Sequence, residues 1–345
     1  MSAATGQFHR RRGGSALGDI LLDVHHVSKT FPVKGGMFSR SKGFVHAVDD
    51  VSFQVERGET FGLVGESGCG KSTLSRALLQ LISADSGEIL FEGRDLRAMK
   101  GRELQTQRSR MRMVFQKPFT SLDPRRTVRE IIAAPIRVHD RRIGAAELEK
   151  QVLELMDKVG LSPTYIDRYP HEFSGGQRQR IGIARAIALD PELIICDEPV
   201  SALDVSIQAQ ILNLLKDLQQ KQNLTYIFIS HNLSVVNHMS DRIAVMYLGS
   251  IVEIAKADAL YERAMHPYTQ ALLSAIPDPS IAGKRRRIIL TGDIPSPVNP
   301  PKGCRFSTRC AHATERCRAE RPRLLDVEEG YKVACFLYES KGGLK

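Results

Sequence analysis

The amino-acid sequence predicts an α/β protein with a largely parallel central sheet. Three short apolar segments, residues 60–64, 193–196 and 226–229, have the length and composition of buried strands. Each is followed directly by polar residues: a glycine-rich loop, a pair of carboxylates, and a serine–histidine pair. Because parallel strands place their carboxyl ends at one edge of a sheet, we expect these polar groups to lie close together.

The glycine-rich loop reads GESGCGKST at residues 65–73 and leads into a segment with apolar residues at helical spacing. Its glycines let consecutive backbone N–H groups surround phosphate oxygens, next to the positive end of a helix. A glycine-rich turn with a solvated lysine is the simpler alternative. We predict that Lys71 reaches the β- and γ-phosphates of a nucleoside triphosphate and that the Ser72 hydroxyl coordinates Mg²⁺. The residues expected to contact the nucleotide are Gly65, Glu66, Ser67, Gly68, Cys69, Gly70, Lys71, Ser72 and Thr73.

A second motif, FSGGQ at residues 173–177, opens another predicted helix. Ser174 and Gln177 have the spacing of a capping box, which explains these two residues without any ligand. Capping does not explain two glycines in a first helical turn, where each costs about 1 kcal/mol relative to alanine. Since glycine is favoured where a ligand approaches the backbone, we expect a ligand near Gly175 and Gly176.

The second apolar strand ends in Asp197 and Glu198. An apolar run followed by acids usually marks only a strand end, but buried carboxylates carry a cost unless a cation lies nearby. We predict that Asp197 holds Mg²⁺ directly or through water. Glu198 is then free to orient and deprotonate the water that attacks the phosphate.

Together these motifs resemble those of the ATP-binding cassette (ABC) superfamily, with Phe173 where leucine is commoner. The resemblance implies a P-loop nucleotide-binding domain: a RecA-like core with a mostly parallel sheet, a helical subdomain and an antiparallel β part. It also implies that the 173–177 motif contacts the γ-phosphate bound by an opposite subunit, through Ser174, Gly175, Gly176 and Gln177.

The same resemblance assigns roles to four further residues. Phe31 is implied to stack on adenine, although an ordinary core phenylalanine is the alternative. Gln116 is implied to contact Mg²⁺ and water, Asp204 to lie in a loop that crosses the dimer interface, and His231 to sense the γ-phosphate. The predicted catalytic residues are therefore Glu198, His231, Gln116 and Lys71. The chain departs from the family pattern at Lys117, where asparagine or aspartate is usual, and at Asn232, where aspartate is usual.

Composition is ordinary for a globular protein: 42% of the 345 residues are hydrophobic and 26% are charged, which excludes disordered and fibrous classes. No apolar run approaches the roughly 20 residues that span a bilayer, and the basic N-terminus has no apolar region behind it. The net charge of +10 suits an anionic membrane or nucleic acid, so charge does not choose between them. No basic motif interleaved with aromatics is present, and we expect no nucleic-acid partner.

Four regions are expected along the chain: a flexible tail at 1–19, an ATP-binding domain at 20–255, a helical subdomain inserted at 117–172, and a C-terminal extension at 256–345.

Within the extension, HPYTQALL at 266–273 and GDIPSP at 292–297 resemble the ATP-binding subunits of dipeptide and oligopeptide importers. Residues 31–38 are most similar to the "F" ATPase subunit of these systems. The branch also contains nickel and glutathione importers.

This second resemblance implies ATP hydrolysis that energises import of peptides, at the cytoplasmic face of the inner membrane. The implied partners are a second, related ATPase subunit, two transmembrane permease subunits and an external solute-binding protein.

A soluble cassette ATPase acting on nucleic acid or ribosomes is the alternative from another class. Only about a hundred residues separate Lys71 from Ser174, too few for the coiled coil of DNA-repair members, and the chain has one cassette where translation factors have two. A metal-binding regulatory protein would leave the ATPase motifs unexplained.

Four of the six cysteines fall within the last 42 positions: Cys304, Cys310, Cys317 and Cys335. A cytoplasmic location disfavours disulfides, and four thiolates suit either zinc or an iron–sulfur cluster. The gaps of five, six and seventeen residues lack the short knuckle spacing usual for zinc. The family resemblance implies a [4Fe–4S] cluster, with Zn²⁺ as the alternative. We expect this motif to fold the tail, remote from hydrolysis.

Overall fold

The computed structural model describes residues 19–33, 43–116, 121–276 and 287–341. The expected flexible tail, apart from Asp19, and Lys117 lie outside these ranges, as do residues 34–38 of the "F"-like segment. The strands are β1 (Ile20–Pro32), β2 (Phe44–Glu56), β3 (Thr60–Val64), β4 (Ser86–Phe91), β5 (Arg94–Asp95), β6 (Met111–Val114), β7 (Leu193–Asp197), β8 (Thr225–Ser230), β9 (Arg242–Tyr247), β10 (Ser250–Lys256), β11 (Leu325–Glu328) and β12 (Tyr331–Val333).

The helices alternate with the strands of the larger sheet in the middle of the chain. They are α1 (Lys71–Leu78), α2 (Gly101–Arg110), α3 (Val128–His139), α4 (Ala145–Lys158), α5 (Gly175–Ile187), α6 (Val205–Gln222), α7 (Leu233–Met239), α8 (Ala257–Arg263), α9 (Pro267–Ser274) and α10 (Glu315–Ala319). Short 3₁₀ turns occur at Pro163–Tyr165, Pro170–Glu172 and Phe336–Lys341.

Two sheets form the frame of the molecule. The larger has eight strands in the order β11-β12-β10-β9-β3-β8-β7-β6, and its strands from β9 to β6 pair in parallel. The smaller is antiparallel, in the order β2-β1-β4-β5. The predicted α/β fold with a mostly parallel sheet and an antiparallel part is confirmed.

The parallel strands are buried on both faces, which is why their sequences read as continuous apolar runs. Because alternate side chains point to opposite faces, β7 supplies two separate cores. Leu193 and Ile195 pack towards the antiparallel sheet, whereas Ile194 and Cys196 pack towards the helices α3 to α6. The strand ends that carry the predicted site residues are therefore held in place by packing on both faces of the sheet.

The C-terminal extension continues the larger sheet. Strand β12 pairs with β10, with Glu253 opposite Val333, and β11 pairs with β12. Glu253 is fully buried, and burial raises the pKa of its carboxyl group. Its carboxylate oxygens accept hydrogen bonds from the Tyr331 hydroxyl at 2.7 Å and from the backbone N–H groups of Met265 and His266 at 2.6 and 3.2 Å. These bonds join the extension to strand β10 of the larger sheet.

No helix in the four described ranges combines the length and the apolar composition needed to cross a bilayer.

Candidate functional site

The glycine-rich loop connects β3 to α1, as the sequence predicts. Two of its glycines are required by close backbone contacts. A Cβ at position 65 would lie 2.1 Å from the Met246 carbonyl oxygen, and one at position 70 would lie 2.0 Å from that of Ala47. Gly70 also has a φ of 109°, a conformation that glycine adopts without strain. The loop is therefore held closely against β9 and β2, while Ser67 and Gly68 are exposed at its tip and Thr73 is half-buried in α1.

Lys71, the first residue of α1, is buried, and its ammonium group stays inside the loop. Its Nζ donates hydrogen bonds to the carbonyl oxygens of Gly65 at 2.7 Å and Glu66 at 2.9 Å. Cys69 packs beside it, and burial raises the pKa of the Cys69 thiol. A charged amine held at the centre of a ring of backbone groups is suited to an anionic ligand.

Ser72 and Asp197 meet at the carboxyl ends of β3 and β7. The Ser72 hydroxyl donates to Asp197 Oδ1 at 3.0 Å. Burial raises the pKa of Asp197, an effect that the Ser72 hydrogen bond opposes. A buried carboxylate beside a hydroxyl is a set of hard oxygen donors, and a divalent cation would stabilise its charged form. The residues present thus fit Mg²⁺.

Glu198 lies between two other predicted site residues. Its Oε2 accepts a hydrogen bond from Gln116 Nε2 at 2.6 Å, and its Oε1 lies 3.4 Å from His231 Nδ1. The Glu198 side chain is 12% exposed, whereas that of His231 is 55% exposed. The backbone of Glu198 has a φ of 46°, and its N–H donates to the Ile229 carbonyl of the next strand at 2.9 Å. Three residues from three strand ends are thus brought together.

Asn232, which departs from the family pattern, has a local role. Its Oδ1 accepts hydrogen bonds from the backbone N–H groups of Ser234 and Val235 at 3.0 and 3.3 Å and thereby caps α7. Asparagine and aspartate are equally good N-caps. The substitution therefore preserves the helix that follows His231.

The 173–177 motif forms the start of helix α5. Ser174 caps α5, and a complete capping box joins it to Gln177, through bonds of 3.3 and 3.0 Å. Ser174 and Gly175 are exposed, but Gly176 is buried, and a Cβ there would lie 2.5 Å from Ile207 Cγ2. Gly176 therefore has a packing reason, the close approach of α5 to α6, and the expected approach of a ligand to this glycine stays a prediction.

Phe31 and Asp204 both occupy accessible positions. Phe31 lies near the end of β1, with 38% of its surface exposed and Lys29 Nζ 5.4 Å from its ring centroid. Asp204 is exposed at the N-cap of α6. Phe31 is thus accessible for stacking, and Asp204 for contacts across an interface.

Two site residues in the extension were missed by sequence reasoning. Arg309 Nη1 lies 3.0 Å from Glu66 Oε2, and the Tyr268 hydroxyl accepts a hydrogen bond from the Glu66 N–H at 3.0 Å. Tyr268 belongs to the HPYTQALL motif, but its spacing gave no sign of this contact. The extension thus reaches the glycine-rich loop at Glu66, while the expectation that the cysteine motif itself is remote from hydrolysis stays a prediction.

The four tail cysteines line one small pocket, together with His266 and His312: Cys304, Cys310, Cys317 and Cys335. Burial raises the pKa of Cys335 to about 11, with a further contribution from the three neighbouring thiols. Among the described residues, however, no group of three or more His, Cys, Asp or Glu side chains is arranged to hold a metal ion. The tail cysteines therefore share a pocket without forming a ready-made metal site.

Two family models match this sequence. A model described as "ABC transporter" matches residues 48–201, and one described as "Oligopeptide/dipeptide transporter, C-terminal region" matches residues 252–317. The chain is 52% identical over 323 residues to the oligopeptide transport ATP-binding protein AppF of Bacillus subtilis, covering 93% of this chain and 98% of AppF. It is 48% identical to the dipeptide transport ATP-binding protein DppF of Haemophilus influenzae, covering 92% of this chain and 96% of DppF.

A solved structure has the same fold. It is the dimeric ATP-binding cassette MJ0796 in a post-hydrolysis state bound to ADP and phosphate. It is similar to this chain with a TM-score of 0.61 and 28% identity, over 68% of this chain and 98% of that one.

Proposed function

This chain belongs to the ABC transporter family, in the branch of oligopeptide and dipeptide transport ATP-binding proteins, and we propose that it is the ATP-hydrolysing subunit of a peptide importer. The observation that carries the proposal is the convergence of Lys71, Ser72, Asp197 and Glu198 at one edge of the sheet. The import of di- or oligopeptides follows from the named function of relatives that match over nearly their whole length.

Each residue of this edge has a separate task. Lys71 and the loop N–H groups bind the phosphates, and Ser72 and Asp197 would hold Mg²⁺, which when bound neutralises phosphate charge. Glu198 orients the attacking water and accepts its proton. Gln116 and His231 contact different oxygens of the Glu198 carboxylate and so fix its direction, and His231 is assigned the sensing of the γ-phosphate.

A second cassette would complete the site. Ser174, Gly175 and Asp204 are exposed, and none of the hydrogen bonds in the described part of the chain joins Ser174 to the phosphate loop (residues 65–73). The exposed start of α5 can therefore serve a nucleotide held by another subunit, where its N–H groups and dipole stabilise the transferred phosphoryl group. The partner is a related ATPase subunit, and Phe31 contacts the adenine.

A permease segment would dock beside Gln116. An apolar groove of about 480 Å³ lies between α2, β6 and α3, and three exposed apolar side chains line it: Leu81, Phe115 and Val138. Phe115 directly precedes Gln116, so an occupant of the groove would sense the position of that residue. We assign the groove to a cytoplasmic segment of the permease, which places the subunit peripherally at the cytoplasmic face of the membrane. Two such permease subunits and an external solute-binding protein complete the importer.

The pocket lined by the four tail cysteines is proposed to hold a [4Fe–4S] cluster, with Zn²⁺ as the alternative. The support is that all four thiols border one pocket, although their arrangement is not that of a formed metal site. Anaerobic purification followed by absorbance spectroscopy and metal analysis tests the proposal. Protein with neither iron-linked absorbance nor zinc would show it to be wrong.

The transported solute is best tested through the partners. A pull-down from detergent-solubilised membranes, followed by mass spectrometry, should recover two permease subunits, a second ATPase and a peptide-binding protein. Recovery of a nickel- or glutathione-binding protein would reassign the solute within the branch. Recovery of nucleic acid or ribosomes without permease would overturn the importer proposal.

A further inference from the structure

Among the described residues, the hydrogen bonds and ion pairs between the C-terminal extension and the phosphate loop all involve one loop residue, Glu66. The carboxylate of Glu66 is paired with Arg309, and its backbone N–H donates to the Tyr268 hydroxyl. Its carbonyl oxygen accepts the hydrogen bond from Lys71 and a further one from the Cys69 N–H at 3.3 Å. One loop residue is thus bonded to the tail on one side and to the phosphate-binding lysine on the other.

Both tail residues are themselves firmly supported. Tyr268 is fully buried, and its ring lies 4.6 Å from that of Tyr247 and 5.5 Å from that of Phe306. The Arg309 side chain is 9% exposed, and its backbone N–H closes a turn with the Phe306 carbonyl at 3.0 Å. Tyr268 packs in a cluster of aromatic rings, and Arg309 is bonded through its backbone to another member of that cluster, Phe306, so neither residue can move freely.

Because the Arg309 side chain is largely buried, its ion pair with Glu66 contributes more to stability than a surface ion pair does. Exposed ion pairs contribute little, since water screens them. Glu66 is 27% exposed and Arg309 much less, and the charge of a buried guanidinium left without its carboxylate would be poorly compensated. The pair therefore favours one position of the Glu66 side chain and, with it, of the loop.

We propose that Arg309 and Tyr268 are positioning residues that hold the phosphate loop in its nucleotide-binding shape, so that ATP affinity depends on the C-terminal extension. The proposal rests on the proposed function, in which this loop binds ATP. A loop fixed before binding spends less ordering free energy when the nucleotide arrives. The two residues touch the loop and not the reacting phosphate, so the rate of the chemical step should not depend on them.

The test compares single variants of the full chain in equilibrium binding of a fluorescent ATP analogue with Mg²⁺. Arg309→Gln should weaken binding about tenfold, and Tyr268→Phe, which keeps the aromatic packing, should weaken it several-fold. Arg309→Lys should restore part of the affinity. The matched control is Arg263→Gln, which removes another tail ion pair, with Glu328 at 2.7 Å, that does not contact the loop. In the assembled transporter, Arg309→Gln should raise the KM for ATP about tenfold while kcat stays within twofold.

Unchanged affinity in both Arg309→Gln and Tyr268→Phe, or an equal loss in Arg263→Gln, would overturn the inference. If Arg309→Gln fails to fold, Glu66→Gln removes the same pair from the loop side and should weaken binding to a similar degree. A wild-type chain that binds no nucleotide would contradict the proposed function itself, whereas wild-type binding with no loss in these variants would contradict the inference alone.

Discussion

At the scale of single residues, the candidate site contains a backbone conformation that residues other than glycine rarely adopt. Glu198 has a positive φ, and such residues carry strain of the order of 1–3 kcal/mol. The bond from its N–H to Ile229 of the neighbouring strand holds it in place. In this conformation the carboxylate contacts Gln116 and His231, so the strain lies at the position where the proposed function places the attacking water.

Replacing the carboxylate of Glu198 by an amide should separate binding from hydrolysis. We expect Glu198→Gln to retain ATP binding and to cut hydrolysis at least about a hundredfold, which corresponds to about 2.7 kcal/mol of barrier. Lys71→Ala should instead lose nucleotide affinity, because it removes the charge at the centre of the phosphate loop. Equilibrium binding and steady-state ATPase assays of the assembled transporter measure both effects.

Glu154→Gln, which changes an exposed carboxylate of α4, is the control and should leave both quantities unchanged. Near-normal turnover in Glu198→Gln would remove Glu198 from the role of base.

At the scale of elements, helix α5 contains two buried glycines with opposite surroundings. A Cβ at position 176 would meet Ile207 of α6 at 2.5 Å, whereas one at position 182 would meet no heavy atom within 4 Å. The first glycine permits close packing of two helices, and the second has no packing contact that requires it. Glycine in a helix costs about 1 kcal/mol relative to alanine.

The two alanine variants should therefore shift stability in opposite directions. Gly182→Ala should raise the free energy of unfolding by up to about 1 kcal/mol through helix propensity. Gly176→Ala should lower it, because overpacking costs about 1–3 kcal/mol and outweighs the same gain in propensity. Urea unfolding of the full chain measures both. Stabilisation by Gly176→Ala would show that Ile207 yields without cost and that packing does not require the glycine.

Local patterns predicted the elements of this site well and their long-range contacts poorly. The strands β3, β7 and β8 were visible because a strand buried on both faces has a continuous apolar sequence. The residues after them follow from the geometry of a parallel sheet. The contact of Arg309 with Glu66 joins residues 243 positions apart, and no periodicity or turn signal records such a pairing. The same limit hid the packing of Gly176 against α6.

At the scale of the whole molecule, the proposed function gives this chain half of each nucleotide site and assigns the other half to a second cassette. Ser174 is exposed and bonded within its own helix, and no hydrogen bond among the described residues joins it to the phosphate loop. Binding should therefore be a property of the single chain, and hydrolysis a property of the assembly.

Two N-cap variants test whether Ser174 acts on hydrolysis directly or only through the stability of its helix. Ser174→Ala should reduce hydrolysis in the assembled transporter at least tenfold and leave nucleotide binding by the isolated chain within twofold. Thr127→Ala is the matched control, because Thr127 caps α3 with the same capping box, through Glu130, and its loss costs about 1 kcal/mol as well. An equal decrease of hydrolysis in both variants would show that Ser174 acts only as a helix cap. Full hydrolysis by a chain kept apart from any second cassette would exclude the shared site.

The pairing of β12 with β10 also affects whether this protein aggregates. Strand β10 lies between β9 and β12, and its Val252 carbonyl accepts a bond from the Ala334 N–H at 2.8 Å. A chain cut short after Lys256 would present that apolar strand as an open edge, and open edges recruit strands from neighbouring molecules. Light scattering should show such a shortened chain to self-associate, which makes the extension a guard against aggregation as well as a support for the nucleotide loop.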